Sequence, residues 1–178
     1  MPFQSKLKNL LTDWQGNYTD KEFPGFDHRV LKPPHTLILL ESPGPKVVNT
    51  QVVSIFNPDP TAIELSRLLS PPFYHDDQSS ILLWNAVPWF LDCPLRASDI
   101  SEAKPLHNDL LKLLLPNLKC VLLLGKWARQ LHPFYSTRVG DAYIYGGHHT
   151  GMQAQIQLGL RTENEAIFAR FGKLIKQA

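Results

Sequence analysis

Only two cysteines occur in the 178 residues, Cys93 and Cys120. That is too few for a four-cysteine iron–sulfur cluster, a cysteine-only zinc site or a secreted disulfide framework. Apolar runs stop at about strand length, so nothing approaches a membrane span. Long Lys/Arg runs are also missing, and the net charge is only +2. Such a composition permits a nucleic-acid partner without announcing one. The G-x-S-x-G elbow of serine hydrolases, a Walker-type phosphate loop and a G-x-G-x-x-G after the first strand are all absent. Residues 1–11 carry Lys6 and Lys8 in an amphipathic pattern rather than a secretory leader, so a cytoplasmic location is expected.

What is present is ordinary for a globular chain, with 43% apolar and 19% charged residues. Its length suits a single domain, 1–178, with a proper core. Proline outnumbers glycine, 15 to 10, which predicts rigid, extended loops.

The chain is organised around Ile81-Leu82-Leu83-Trp84-Asn85-Ala86-Val87-Pro88-Trp89-Phe90. Four apolar or aromatic positions lead into an asparagine with no turn residue between. A short unbroken run of this kind suits a strand covered on both faces, as in a parallel sheet. Ligands of open α/β sheets bind just beyond the carboxyl ends of such strands, where Asn85 falls. Its side chain offers one acceptor and two donors, enough to read a flat amide-like edge such as a pyrimidine's. The bland alternative is that Asn85 caps the loop after its strand.

Three further strands are expected: 36–40, ending in Glu41-Ser42-Pro43-Gly44-Pro45; 120–124, broken by Gly125 at the entry to a short helix over 126–132; and 142–145, running into Gly146-Gly147-His148-His149-Thr150-Gly151. Helices are predicted over 3–14, from Asp59-Pro60-Thr61 to about Leu69 with Pro71-Pro72 as the stop, from Pro105 as first helical residue to Pro116, and from Thr162 with Glu165 as a capping box. Residues 16–34 read as a covering loop, and a short strand is expected around 52–56. Strands alternating with helices predict a three-layer α/β/α sandwich around a mainly parallel four-stranded sheet. The four post-strand turns then meet at one edge, which makes that edge the candidate site. Adjacent His148 and His149 suit metal ligation only weakly, because no carboxylate or cysteine stands at ligand spacing.

Over residues 36–153 the chain resembles the uracil-DNA glycosylase superfamily. Ser42-Pro43-Gly44-Pro45 is similar to the water-activating motif, and Leu82-Leu83-Trp84-Asn85 to the strand whose asparagine reads the flipped base. The run 121–128 resembles the third strand with its glycine and helix, and His148-His149-Thr150-Gly151 the closing His-Pro-Ser motif. Trp84-Asn85-Ala86-Val87-Pro88-Trp89, with Asp59-Pro60-Thr61-Ala62 upstream, resembles a bacterial branch of such proteins.

The resemblance implies hydrolysis of the N-glycosidic bond of a uracil or related lesion flipped out of DNA. Glu41, Ser42 and His148 are the implied catalytic residues; His148 donates toward the uracil O2 as charge grows there. Asn85, Phe56, Pro43 and Gly44 are implied in base binding, with Phe56 stacking. Thr150, Gly125, Lys126, His149 and Met152 are implied on DNA, Thr150 on a phosphate and Met152 as an apolar wedge. No metal or cofactor is implied, and a monomer is expected. Ser42 stands where the efficient enzymes carry aspartate and slower ones asparagine. An alternative is therefore a catalytically silent relative that binds a base or single-stranded DNA. A third is a nucleotide- or phosphate-binding protein of another α/β family.

Overall fold

The computed structural model describes residues 1–70, 80–152 and 156–177. The Pro71-Pro72 stop and residues 153–155 lie outside them. Three five-residue runs, β2 (Thr36–Leu40), β4 (Ile81–Asn85) and β5 (Cys120–Leu124), are buried at every position. That explains their lack of polar alternation: both faces are covered. With β6 (Tyr143–Gly147) they form one sheet in the order β4-β2-β5-β6, parallel throughout. β4 and β6 are the edge strands, and of the two only β6 has exposed positions. A two-stranded ribbon pairs β1 (Gly25–Phe26) with β3 (Val52–Val53).

Helices cover both faces, as right-handed crossovers require when the order turns back past β2. On one face lie α3 (Pro60–Leu68) and the last helix, α7 (Leu158–Gln177). Arg67 ties them, gripping Glu64 through two bonds of 2.8 Å and Glu165 through a third of 2.8 Å. On the other face α4 (Ala97–Leu114) meets the short α6 (His132–Ser136). There the Tyr135 hydroxyl donates to His107 Nδ1 at 2.8 Å, and His107 Nε2–H donates to the Ala86 carbonyl at 2.8 Å. The remaining helices are α1 (Phe3–Asn17), α2 (Pro45–Thr50) and α5 (Lys126–Arg129).

Two expected helix starts are wrong, the strand expected over 142–145 runs Tyr143–Gly147, the one expected around 52–56 is Val52–Val53, and the helix expected over 126–132 ends at Arg129. The helix assigned to start at Pro105 begins at Ala97, because the Asp99 carboxylate accepts the Arg96 N–H at 2.7 Å and closes a capping box there. Pro105 falls inside on an exposed face, where its ring and missing donor meet solvent. The last helix starts before Thr162, since Glu165 turns to Arg67 instead of capping.

The 16–34 segment packs beside β4 and joins β3 through β1. Phe23 and Phe26 pack with Trp14 against β4, Phe26 stacking on Trp84 with centroids 4.0 Å apart. Among the described residues, no helix is long and apolar enough to cross a membrane.

Candidate functional site

Register decides which residues meet. Leu40 pairs with Asn85, and Leu124 with Gly147, so the four strands end level. Beyond those ends the chain turns at Glu41, Ala86, Gly125 and His148. Backbone bonds fix the tips: Ala86 N–H to the Leu40 carbonyl at 2.8 Å, Val87 N–H to Glu41 at 2.9 Å, and Gly125 N–H to Gly147 at 3.0 Å.

A cavity of about 360 Å³ opens at this edge. That lies within the range of about 300–1,000 Å³ usual for small-molecule sites. Its apolar wall includes Leu40, Pro43, Val47, Val53 and Leu83; its polar groups include Ser42, Ser54, Asn57, Asp59, Asn85 and His149. No Phe, Tyr or Trp is among the described lining residues.

Asn85 is 2% exposed, and its Nδ2 is buried with no hydrogen-bond partner. An unpaired buried donor costs about 1–3 kcal/mol and is rare in folded proteins. Of the other such atoms among the described residues, the indole nitrogens of Trp14 and Trp84 sit in the aromatic cluster, and Arg161 Nε lies 3.6 Å from Glu64. Of these residues, Asn85 is the one that lines this cavity.

Of the two adjacent histidines, His149 lines this cavity and His148 does not. The His148 ring bonds Glu163 at 2.5 Å, and its backbone is held by the Asn164 amide at 2.9 and 3.1 Å. His149 Nδ1 accepts the Gly151 N–H at 2.9 Å. In the neutral ring the proton therefore sits on Nε2, leaving that N–H as the donor. Burial pushes the His149 pKa below its ordinary value, although the Glu41 and Asp59 carboxylates pull the other way. The ring is thus neutral near pH 7.

The other expected site residues divide. Ser42, Pro43 and Gly44 line the cavity. Glu41 does not; it lines an adjoining hollow of about 510 Å³ with Gly125, Lys126, Arg129, His148, His149 and Met152. One Glu41 oxygen accepts the Trp127 N–H at 3.2 Å. Gly125, at φ +105°, is required there, because a Cβ would lie 2.7 Å from that same oxygen. Lys126 Nζ lies over the Trp127 ring, 5.3 Å from its centroid.

Phe56 does not stack over the cavity. It is 51% exposed, is not among the lining residues and sits beneath the Arg29 guanidinium at 4.4 Å. Thr150 is 1% exposed and donates to the Thr61 carbonyl at 3.2 Å, so it is withdrawn from the surface where a phosphate would lie. Met152 is 60% exposed at the rim of the hollow.

Sequence reasoning missed Ser54, Asn57 and Asp59 as cavity residues. Asp59 had a signal, its helix-capping position: its Oδ1 accepts the Ala62 N–H at 3.0 Å. Ser54 had none, because its hydroxyl is oriented by a distant partner, the buried Asp27 carboxylate. Among the described residues no group of three or more His, Cys, Asp or Glu side chains is placed to hold a metal. No protein-family model and no curated protein sequence matches this chain.

Proposed function

We propose that the chain is a DNA glycosylase that hydrolyses the N-glycosidic bond of uracil, or a related lesion base, flipped out of DNA. The observation that carries this reading is the Asn85 amide, buried and unpaired at the wall of a small cavity. A ligand that completes such a donor is one reason for a fold to leave it unpaired, and Asn85 lines a cavity where the two indoles do not. Uracil fits: its O4 accepts the Asn85 N–H and its N3–H donates to the carboxamide oxygen. Cytosine presents the opposite polarity at both atoms.

His149 takes the role that the sequence resemblance assigned to its neighbour. Its Nε2–H donates to O2, where charge develops as the base departs. A neutral imidazole suits this, since a donor that is already uncharged needs no proton uptake before the reaction. Aliphatic contacts from Val47, Val53 and Leu83, rather than a stacked ring, hold the base faces. Lys126 and Arg129 in the adjoining hollow serve the phosphates on either side of the flipped nucleotide.

The test is an oligonucleotide with one uracil, incubated with the protein and then treated with alkali. Scission at the uracil that disappears in Asn85→Ala and His149→Ala supports the enzyme. Binding of the oligonucleotide without scission supports the silent, base-binding relative, which one observation favours: the first turn contributes Ser42 and no carboxylate to the cavity lining. Neither scission nor binding removes both readings.

A further inference from the structure

Hydrolysis needs a group that takes a proton from the attacking water, and the first turn contributes no carboxylate to the cavity lining. The Ser42 hydroxyl is a poor base at neutral pH. Glu41 lies in the adjoining hollow with one oxygen committed to Trp127 N–H. Among the described lining residues of the cavity a single carboxylate remains, Asp59.

Resting on the glycosylase reading, we infer that Asp59 is the general base, taking the water proton as the water adds to the sugar C1′. Asp59 precedes α3, and its Oδ1 accepts the Ala62 N–H at 3.0 Å. That bond fixes the carboxylate plane and leaves Oδ2 without a hydrogen bond among the described residues. The second oxygen is the one available to a water in the cavity. Asp59 is half-buried, so it is neither stranded in the core nor fully solvated.

The step balances without any further reactant. The C1′–N1 bond breaks and its electron pair leaves with the base, delocalised to O2 opposite His149 Nε2–H. Water oxygen bonds C1′, and one of its protons passes to Asp59 Oδ2. That proton then goes to the departing base anion, so a nucleotide unit and water give an abasic sugar and free base. Asp59 also has an electrostatic task. Its negative charge near His149 stabilises the positive charge that grows at C1′ before water arrives.

Asp59→Asn tests the assignment cleanly, because asparagine caps a helix about as well as aspartate. The Ala62 bond and the unfolding transition are expected to survive. The single-turnover rate on a uracil oligonucleotide is expected to fall about 10²- to 10⁴-fold, the usual contribution of a positioned base, while the oligonucleotide Kd changes less than about threefold. Asp59→Glu, which keeps the carboxylate, is expected to restore part of the rate. His149 and Glu41 are the other ionisable groups facing this spot, so Glu41→Gln serves as the control, and its loss of rate is expected to be smaller than that of Asp59→Asn. An NMR titration gives a readout free of activity: losing the Asp59 charge lowers the His149 pKa further. An active wild type with an Asp59→Asn rate within about fivefold of it overturns the inference alone. An inactive wild type removes the glycosylase reading and this inference together.

Discussion

Replacing Asn85 by leucine is expected to stabilise the protein while abolishing its recognition of a base. Asn85 is 2% exposed and its Nδ2 lacks a partner. Leaving a buried donor unpaired costs about 1–3 kcal/mol, and leucine has nearly the same size without that donor. The wall it would join, Leu40, Val47, Val53 and Leu83, is already apolar. Against the gain stands any bond accepted by the carboxamide oxygen, about 0.5–1.5 kcal/mol. The net is a stabilisation of about 1 kcal/mol, or about 2–4 °C in Tm for a chain of this size. Urea unfolding checks it: the midpoint moves up while the slope with denaturant stays fixed. A loss of more than about 2 kcal/mol would refute the reasoning, because the amide would then be a satisfied structural group.

Three other outcomes follow from particular contacts. Burial depresses His107 to about 4 from 6.5. The unfolded chain therefore protonates first, and stability present above pH 6.5 is lost as pH falls through about 4, about 3 kcal/mol in total. Urea unfolding as a function of pH measures this slope, and His107→Gln flattens it. Gly125→Ala combines φ +105° with a Cβ 2.7 Å from Glu41 Oε1, so a loss of about 2–4 kcal/mol is expected in denaturant unfolding. Lys126→Ala is expected to weaken oligonucleotide binding alike for all sequences and to reduce the slope of log K against log salt by about one.

The three fully buried strands were legible to the residue or nearly so, because an unbroken apolar run bounded by polar residues has few other solutions in a small domain. Asn85 was legible for the same reason: it is the one polar residue in its strand. Pro105 misled because a proline at the first helical position is common, while the side-chain bond between Asp99 and the Arg96 backbone depends on a turn that spacing alone does not mark. Phe56 misled because an aromatic near a site has two faces of its loop to choose from, and Arg29, far away in sequence, decides. The choice between His148 and His149 rests on Asn164 and Glu163, which α7 brings to the strand tip. Contacts with so distant a helix leave no trace in a local pattern.

The central claim is that one amide and one imidazole at the strand ends enclose a uracil. Side-chain NMR of Asn85 and His149 during titration with free uracil tests it without requiring catalysis. The account predicts that the Asn85 amide and the His149 ring resonances both move with uracil and stay still with cytosine. Unmoved signals with uracil, or equal movement with both bases, would contradict it.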